Sequence, residues 1–297
     1  MTELLILAAS LCWAAGMVMI RDLAIRASVL PINAARALAP GLAFPLAALA
    51  TGHGDDILRI PVPNLLAVVA GVSLGIVSGD LLVLLAIRRI GVARAYALAN
   101  TYPLVGVLIA VALRGETLGG LGLAGVFLVV GGGTLLSIEP AARGGAARPG
   151  GARRWRVSLG AALALFTALL WGVEVNLTKF AVTGVDPIAL NSIRMPLGAA
   201  ALNLGALAVY RRPAPMTLGW RGSVRAFAAG LIALTLGSGL YLYGLQLLGA
   251  ARAVSLSAAS PVFALLLSAG LLREAPGRLS VAGVFLTAGG VALITLS

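Results

Sequence analysis

The chain has 297 residues, of which 60% are hydrophobic and 11% are charged, and its formal net charge is +12. Soluble domains carry roughly 25% charged residues, so 22 basic and 10 acidic side chains are too few to cover a water-exposed surface of this size. This composition excludes a water-soluble enzyme and indicates an integral membrane protein.

Metal and thiol chemistry lack the side chains that they need. The chain has one cysteine, Cys12, and one histidine, His53, so neither a disulfide nor a Cys/His metal cluster is available. We therefore predict no catalytic residues, no metal and no cofactor. The basic residues lie mostly between apolar runs, where they anchor loops beside a membrane, and nucleic acid is not an expected partner.

Apolar runs long enough to cross a membrane recur along the whole chain. The first, residues 4–20, precedes the first basic residue, Arg21, whereas a signal peptide begins with positive charge; we expect a retained helix. About 20 apolar residues span the hydrocarbon as a helix. We predict an all-α membrane protein with ten transmembrane helices, near residues 3–24, 30–51, 64–87, 92–113, 119–138, 157–180, 187–209, 224–247, 250–271 and 279–297.

The two halves of the sequence repeat one another at a constant offset of 158 residues. The offset aligns pairs of Trp, Arg, Gly, Pro and Glu residues that are individually uncommon in apolar helices. The aligned pairs are Trp13 with Trp171, Arg36 with Arg194, Gly79 with Gly237, Pro103 with Pro261, Glu116 with Glu274, and Gly131-Gly132 with Gly289-Gly290.

Five spans in each half is an odd number, so the second half must enter the membrane from the opposite face. The prediction is two inverted-topology five-helix repeats, residues 1–138 and 157–297, an arrangement typical of secondary transporters. Residues 139–156 contain four Gly, two Pro and five Arg, which predicts a flexible basic linker.

These residues carry a family resemblance that covers both halves. A Trp in the first helix, an Arg early in the second, a Gly-x-x-Arg-Ala turn at Gly91 and Gly249, and Tyr102-Pro103 matched by Ser260-Pro261 form the pattern. It resembles the drug/metabolite transporter superfamily, specifically its EamA-type ten-helix exporters. The resemblance implies a transporter and leaves the solute open, because such proteins carry very different solutes.

The basic residues are distributed unequally between the two sides of the predicted bundle. Sixteen lie on the side away from the N-terminus and four on the N-terminal side, with Arg36 and Arg194 inside spans. The positive-inside rule places the sixteen in the cytoplasm, so both termini face outward, whereas the family habit is the reverse. We expect a multi-pass protein of the cell membrane, in bacteria the inner membrane.

Ionisable residues inside spans are costly and therefore candidates for function. Asp80 suggests a proton or cation site, or a structural ion pair with Arg36 or Arg194. Glu174 suggests a protonatable carboxylate facing a cavity, or a pair with Lys179. Arg36 and Arg194 favour a shared structural role, with binding of an anion or carboxylate as the alternative.

The fourth and ninth spans carry proline at matching positions, the best sequence indication of a transporter's central site. Tyr96 and Asn100 lie four residues apart and so share a helix face, with Tyr102 close by. Ser257 precedes the second proline. We predict that these side chains line a cavity; a proline kink packed with hydroxyl groups is the alternative.

Aromatic and glycine positions complete the candidate set. Trp13 and Trp171 either close over a solute or anchor the packing of the repeats. Tyr241 and Tyr243 are two residues apart, so at most one faces a cavity. Glu116 is expected to serve the N-terminus of the next helix. The glycine cluster at residues 131–133 indicates close helix packing, or less strongly a dimer contact.

Three classes of function remain. We favour a secondary transporter that exports or exchanges small metabolites by alternating access through a cavity between the repeats. The mixture of acidic and basic residues inside the membrane would suit amino acids as substrates, and proton coupling is one option. The alternative is a non-transporting membrane partner or lipid-translocating subunit. An intramembrane enzyme lacks a nucleophile–base pair. The expected partners are the solute and the lipid bilayer, and the expected state is a monomer or homodimer.

Overall fold

The computed structural model describes residues 2–90, 95, 98–138, 151–272 and 277–296. Every regular element within these ranges is helical, and no strand occurs in them. The all-α prediction is therefore confirmed for this part of the chain. The physical reason is that a helix satisfies its own backbone hydrogen bonds, which apolar runs in lipid require. Tyr96 and Glu274 lie outside the described residues.

The helices are numbered in chain order, and two π-helical stretches are labelled π1 and π2. Their bounds are α1 (Thr2–Arg26), α2 (Val29–Ala50), α3 (Gly54–Leu58), α4 (Val62–Gly71), π1 (Val72–Gly79), α5 (Asp80–Ile90), α6 (Tyr102–Arg114), α7 (Gly120–Ile138), α8 (Gly151–Val182), α9 (Pro187–Tyr210), α10 (Ala214–Gly230), π2 (Leu231–Leu236), α11 (Gly237–Leu248), α12 (Ala250–Ser257), α13 (Ser260–Leu272) and α14 (Arg278–Thr295). Gly115 and Gly249 follow α6 and α11 with φ of 66° and 86°, values that glycine adopts without steric cost.

Several helices are long and apolar enough to cross a membrane. Among the described residues there are six, at Thr2–Ile20, Val29–Ala50, Val62–Val83, Leu159–Val182, Pro187–Tyr210 and Ala214–Leu248. Three shorter apolar helices lie at Tyr102–Arg114, Gly120–Leu135 and Val281–Ile294. The chain is a multi-pass membrane protein.

The chain packs into two compact units. Unit 1 contains Met1–Val77 and Glu174–Gly249, and unit 2 contains Ser78–Val173 and Ala250–Ser297. Each unit takes helices from both halves of the sequence, so neither unit coincides with one of the two sequence repeats.

Unit 1 is built around α2, which packs against α9 and α10. Gly230 lies so close to α2 that a Cβ atom there would overlap the carbonyl oxygen of Arg36. Ser192 Oγ donates to the carbonyl of Phe44 at 2.9 Å. Small side chains and polar contacts of this kind hold helices together in lipid, where burial of apolar surface supplies little driving force.

Unit 2 contains a close contact between α7 and α14. A Cβ atom on Gly132 would lie 2.6 Å from the carbonyl oxygen of Gly283, and one on Gly290 would lie 2.6 Å from that of Gly125. A Cβ atom on the adjacent Gly131 would meet no heavy atom within 4 Å beyond the backbone of its own helix. The predicted packing role of the glycine cluster therefore holds for Gly132, and not for Gly131.

Both third spans of the predicted repeats contain a π-helical stretch. Residues 72–79 of π1 correspond to residues 230–237 at the 158-residue offset, and π2 covers Leu231–Leu236 within that range. A π-helix is rare, and one inside an α-helix is frequently found at a functional site. Asp80 directly follows π1, and its counterpart Ser238 follows π2 by one residue.

The fourth and ninth spans are broken rather than continuous. A turn at Asn100 and Thr101 precedes α6, and a turn at residues 258–259 separates α12 from α13. These breaks match at the 158-residue offset. Pro103 is the second residue of α6. The N–H groups of the first turn of a helix have no intrahelical partner, so a proline, which lacks an N–H, costs no hydrogen bond there. The sequence predicts spans interrupted at these prolines, and the structure places each interruption just before the proline. Pro103 begins a helix there instead of kinking one.

The end of the predicted linker is helical. Helix α8 begins at Gly151, inside the segment 139–156 that composition predicts to be flexible, and residues 139–150 lie outside the described residues. The last proline of this region is Pro149. Arginine and alanine, which dominate residues 152–156, are good helix formers, so the helix extends back to that point.

A titratable cluster outside the membrane spans lies where the start of α3 meets the start of α9. Asp186 accepts hydrogen bonds from the backbone N–H groups of Ile188 and Ala189 and so caps α9. His53 Nδ1 lies 2.9 Å from Asp56 and 3.8 Å from Asp186. The hydrogen bond to Asp56, together with the charge of Asp186, raises the pKa of His53 above its ordinary 6.5.

This raised pKa predicts a pH-dependent contribution to stability. Because the protonated imidazole is favoured in the folded state, the contribution is present below the pKa of the unfolded chain and is lost as pH rises through that of the folded protein. The thermal unfolding midpoint of the detergent-purified protein, relative to that of His53→Gln, should fall as the pH is raised from below the ordinary histidine pKa of 6.5 to above it. A constant or rising difference would contradict the assignment.

Candidate functional site

An ion pair lies inside the spans of unit 1. Arg194 Nη2 of α9 donates to Glu174 Oε1 of α8 at 2.6 Å, and both side chains are only 12% exposed. Thr178 Oγ1 donates to the same carboxylate oxygen at 2.8 Å. Charge-assisted hydrogen bonds of this length are among the stronger polar contacts in proteins. Lys179 is the pairing partner that the sequence suggests for Glu174, whereas the structure places Arg194 on the carboxylate.

The π1 segment supplies the surface against which Glu174 lies. A Cβ atom on Gly75 would lie 2.5 Å from Glu174 Cγ and 3.1 Å from its Cβ. Only glycine lets the backbone approach this closely. The ion pair is thus positioned by the helices that carry it and by the irregular stretch of a third span.

Further polar atoms are buried near Arg194 in sequence. Asn191 is 0% exposed, and neither its amide nitrogen nor its amide oxygen has a hydrogen-bond partner among the described residues. Arg194 Nε is also buried without such a partner there. Asn191 and Arg194 are three residues apart and so share a face of α9. Buried polar groups without partners are costly, and a polar ligand would gain hydrogen bonds from them.

Thr178 and Asn191 are not among the candidates predicted from the sequence. A signal for both was available, since Thr178 is four residues after Glu174 and Asn191 three residues before Arg194. Both therefore share a helix face with an ionisable candidate.

The two arginines that match in the repeats have different surroundings. Arg36 is 9% exposed, and its Nη1 donates to Asn33 Oδ1 at 3.2 Å, whereas Arg194 binds a carboxylate. A structural role shared by both halves stays a prediction.

Asp80 is half-buried at the start of α5. It belongs to unit 2. Asp80 stays a candidate through its position directly after π1.

Each repeat-matched tryptophan contacts a tyrosine from the other half of the sequence. Trp13 and Tyr241 lie in unit 1 with ring centroids 5.1 Å apart, and Trp171 and Tyr102 lie in unit 2 at 5.9 Å in an edge-on arrangement. Tyr241 is buried while Tyr243 is exposed, in agreement with their two-residue spacing.

The broken spans of unit 2 bring two further candidates together. The hydroxyl of Tyr102 lies 2.7 Å from Ser257 Oγ, so the residues beside the two matching breaks are hydrogen-bonded. Asn100 lies in the first turn and is half-buried. Tyr102, Trp171 and Ser257 thus form one polar–aromatic cluster.

Two charged side chains serve helix ends. Lys179 Nζ donates to the carbonyls of Leu245 and Gln246 at 2.9 and 2.8 Å, which satisfies the C-terminal end of α11. Glu116 accepts hydrogen bonds from the N–H groups of Ala250 and Ala251. It serves the start of α12, and not that of the helix which follows it in sequence.

These features define the class of protein: a multi-pass helical membrane protein with charged and aromatic side chains held inside its spans. The model of the EamA-like transporter family matches residues 1–138 and 158–296, and the chain belongs to that family. Its members are membrane transporters of small solutes.

Two individual proteins are similar to this chain. The uncharacterized protein PA1977 of Pseudomonas aeruginosa is 33% identical over 190 residues, which cover 64% of this chain and 60% of that protein. The match thus spans about three fifths of the relative's length. A protein of known crystal structure has a TM-score of 0.81 at 22% identity, over 99% of this chain and 96% of the other. At that identity the likeness concerns the fold alone.

Proposed function

We propose that the protein is a secondary transporter that exports or exchanges small metabolites by alternating access. Ten transmembrane helices, arranged as two inverted five-helix repeats (1–138 and 157–297), enclose a central cavity in this proposal. The matching breaks before α6 and α13 and the matching π-helical stretches support it, since irregular backbone inside a span is tolerated where it lines a cavity or is buried in protein.

The observation that carries the proposal is the Glu174–Arg194 pair at 2.6 Å with Thr178 beside it. A carboxylate and a guanidinium side by side are complementary to the ammonium and carboxylate of a zwitterion. Amino acids and similar small organic solutes are therefore the proposed substrates. Asp80 and Glu174 are the groups proposed to couple transport to protons, since buried carboxylates are the usual proton carriers in membrane transporters.

The Arg distribution supports a placement with both termini outside, in the cell membrane and, in bacteria, the inner membrane. Sixteen basic residues lie on the opposite side against four on the N-terminal side, and the positive-inside rule assigns the richer side to the cytoplasm. A monomer or homodimer is the proposed assembly.

Uptake and counterflow in proteoliposomes test the function, with pooled radiolabelled amino acids and with or without an imposed pH gradient. Saturable flux that follows the gradient is the expected result. Glu174→Gln should lower it by about tenfold or more, because a hydrogen bond to a charged group is worth about 1.5–3 kcal/mol. Asp80→Asn should remove its dependence on the gradient.

The matched control is Asp55→Asn, which removes an exposed carboxylate of the short helix α3 and should leave transport unchanged. Saturable flux that does not depend on the pH gradient would indicate a facilitator and contradict proton coupling. The absence of flux for every pool, with monodisperse protein, would contradict amino-acid transport and favour a lipid-translocating subunit.

A further inference from the structure

A basic cavity lies at one end of unit 1, where α1 approaches α10. The cavity measures about 240 Å³, and its described lining is Leu23, Arg26, Arg221, Gly222 and Arg225. All three arginines are exposed. None of them belongs to the candidate transport residues.

The local packing explains why three guanidinium groups lie around one cavity. Arg221 and Arg225 are four residues apart and so share a face of α10. A Cβ atom on Gly222, which lies between them, would be 3.3 Å from Leu23 Cδ1. This glycine lets α10 approach α1 closely, next to the turn that ends in Arg26.

The cavity lies at the depth of lipid headgroups. The apolar span of α1 ends at Ile20, and Arg26 is six residues further along the same helix. At a rise of about 1.5 Å per residue Arg26 is roughly 9 Å beyond the hydrocarbon boundary, at the outer edge of a headgroup layer that is about 5–8 Å thick on each side. Leu23, which also lines the cavity, is three residues beyond Ile20, roughly 4.5 Å from the boundary and within that layer. Trp220, 82% exposed, is of a residue type enriched at that interface.

The three arginines have no basic counterparts in the sequence repeat. At the 158-residue offset, Arg26 corresponds to Gly184, Arg221 to Pro63 and Arg225 to Ala67. The repeat thus has no equivalent basic cavity, and the three arginines are not a by-product of duplicated packing.

We propose that this cavity binds the phosphate group of an anionic phospholipid. Guanidinium groups bind phosphate oxygens in pairs of parallel hydrogen bonds, and basic pockets between transmembrane helices suit anionic headgroups. The cavity volume of about 240 Å³ is smaller than the roughly 300–1,000 Å³ of pockets that hold drug-sized ligands. The cavity therefore has room for a lipid headgroup, while the acyl chains lie outside it.

Native mass spectrometry and nanodisc titration of the purified full-length protein test this proposal, with phosphatidylglycerol as the probe and phosphatidylcholine as the neutral comparison. Wild-type protein should retain phosphatidylglycerol preferentially. Arg26→Gln, Arg221→Gln and Arg225→Gln should each weaken it about fivefold, the usual effect of one basic residue near a charged membrane surface. The controls are the single variants Arg59→Gln, Arg212→Gln and Arg278→Gln, each of which removes one positive charge from a position outside the cavity.

Two outcomes would overturn the proposal. One is equal retention of both lipids by the wild-type protein, a measurement that needs no variant to fold. The other is an equal loss of phosphatidylglycerol in the cavity and control variants, which would indicate general surface charge. Inorganic phosphate and glycerol 3-phosphate distinguish the source: displacement of the lipid by either at equal concentration would assign the cavity to a free phosphate anion.

Discussion

Substitution of Gly132 by alanine is expected to destabilise the protein by about 2–3 kcal/mol, whereas the same substitution at the adjacent Gly131 is not. The new methyl group at residue 132 would lie 2.6 Å from the carbonyl oxygen of Gly283 and 2.7 Å from the N–H nitrogen of Thr287. These are backbone atoms and cannot rotate away. Overpacking of this kind costs about 1–3 kcal/mol and occasionally more, because α7 and α14 must separate.

The sequence repeat contains a second pair of adjacent glycines of which only one is in close contact with the facing helix. A Cβ atom on Gly290 would lie 2.6 Å from the carbonyl oxygen of Gly125, while Gly289 has nothing within 4 Å. Gly131→Ala and Gly289→Ala should be neutral or slightly stabilising, since alanine is favoured over glycine in helices by about 1 kcal/mol.

Thermal unfolding midpoints in one detergent measure all four variants. Gly132→Ala and Gly290→Ala should lower the unfolding midpoint, whereas Gly131→Ala and Gly289→Ala should not. Equal midpoints within each adjacent pair would contradict the contact between α7 and α14.

The second large effect is expected at the ion pair. Glu174→Ala leaves the 12%-exposed guanidinium of Arg194 without its carboxylate. Removal of one partner of a buried pair costs about 3–5 kcal/mol, and the residual exposure places the expected loss of unfolding free energy near the lower end. The exposed Arg212→Ala should change stability by less than about 0.5 kcal/mol.

A double-mutant cycle separates the pair from its surroundings. Glu174→Met/Arg194→Met removes both charges and should recover most of the lost stability, because apolar replacement of a buried pair is often neutral. Transport should stay low in the double variant, since both charges proposed to bind the solute are gone. Full additivity of the two single substitutions would show that the side chains do not interact.

The sequence predicted the features that depend on residue type and register along the chain. The 158-residue offset located Pro103 and Pro261, and the structure places a helix break just before each. The all-helical fold class followed from the length of the apolar runs. Tyr241 and Tyr243 were predicted to face different ways because residues two apart do not share a helix face, and one is buried while the other is exposed.

Features that depend on how helices rotate and meet were beyond the sequence. Gly131 and Gly132 are identical as residues, and only the rotation of α7 places one of them against α14. The partner of Glu174 lies 20 residues away on another helix, while Lys179 is closer along the chain and serves a helix end instead. The π-helical stretches also escaped prediction, because the i→i+5 hydrogen bonds that define them leave no signature in an apolar run.

Because each unit contains helices from both halves of the sequence, neither unit can fold completely until the second half has been synthesised. Unit 1 lacks its last helix until Gly249 is made, 172 residues after Val77. At about 5–20 residues per second, that interval lasts roughly 10–30 s. Until α9 and α10 are made, α2 is in the membrane without the helices that pack on it, and α7 waits in the same way until α14 is made. The nascent first half therefore has to persist as loosely associated spans, and its glycine faces are where a membrane chaperone or a wrong helix would engage it.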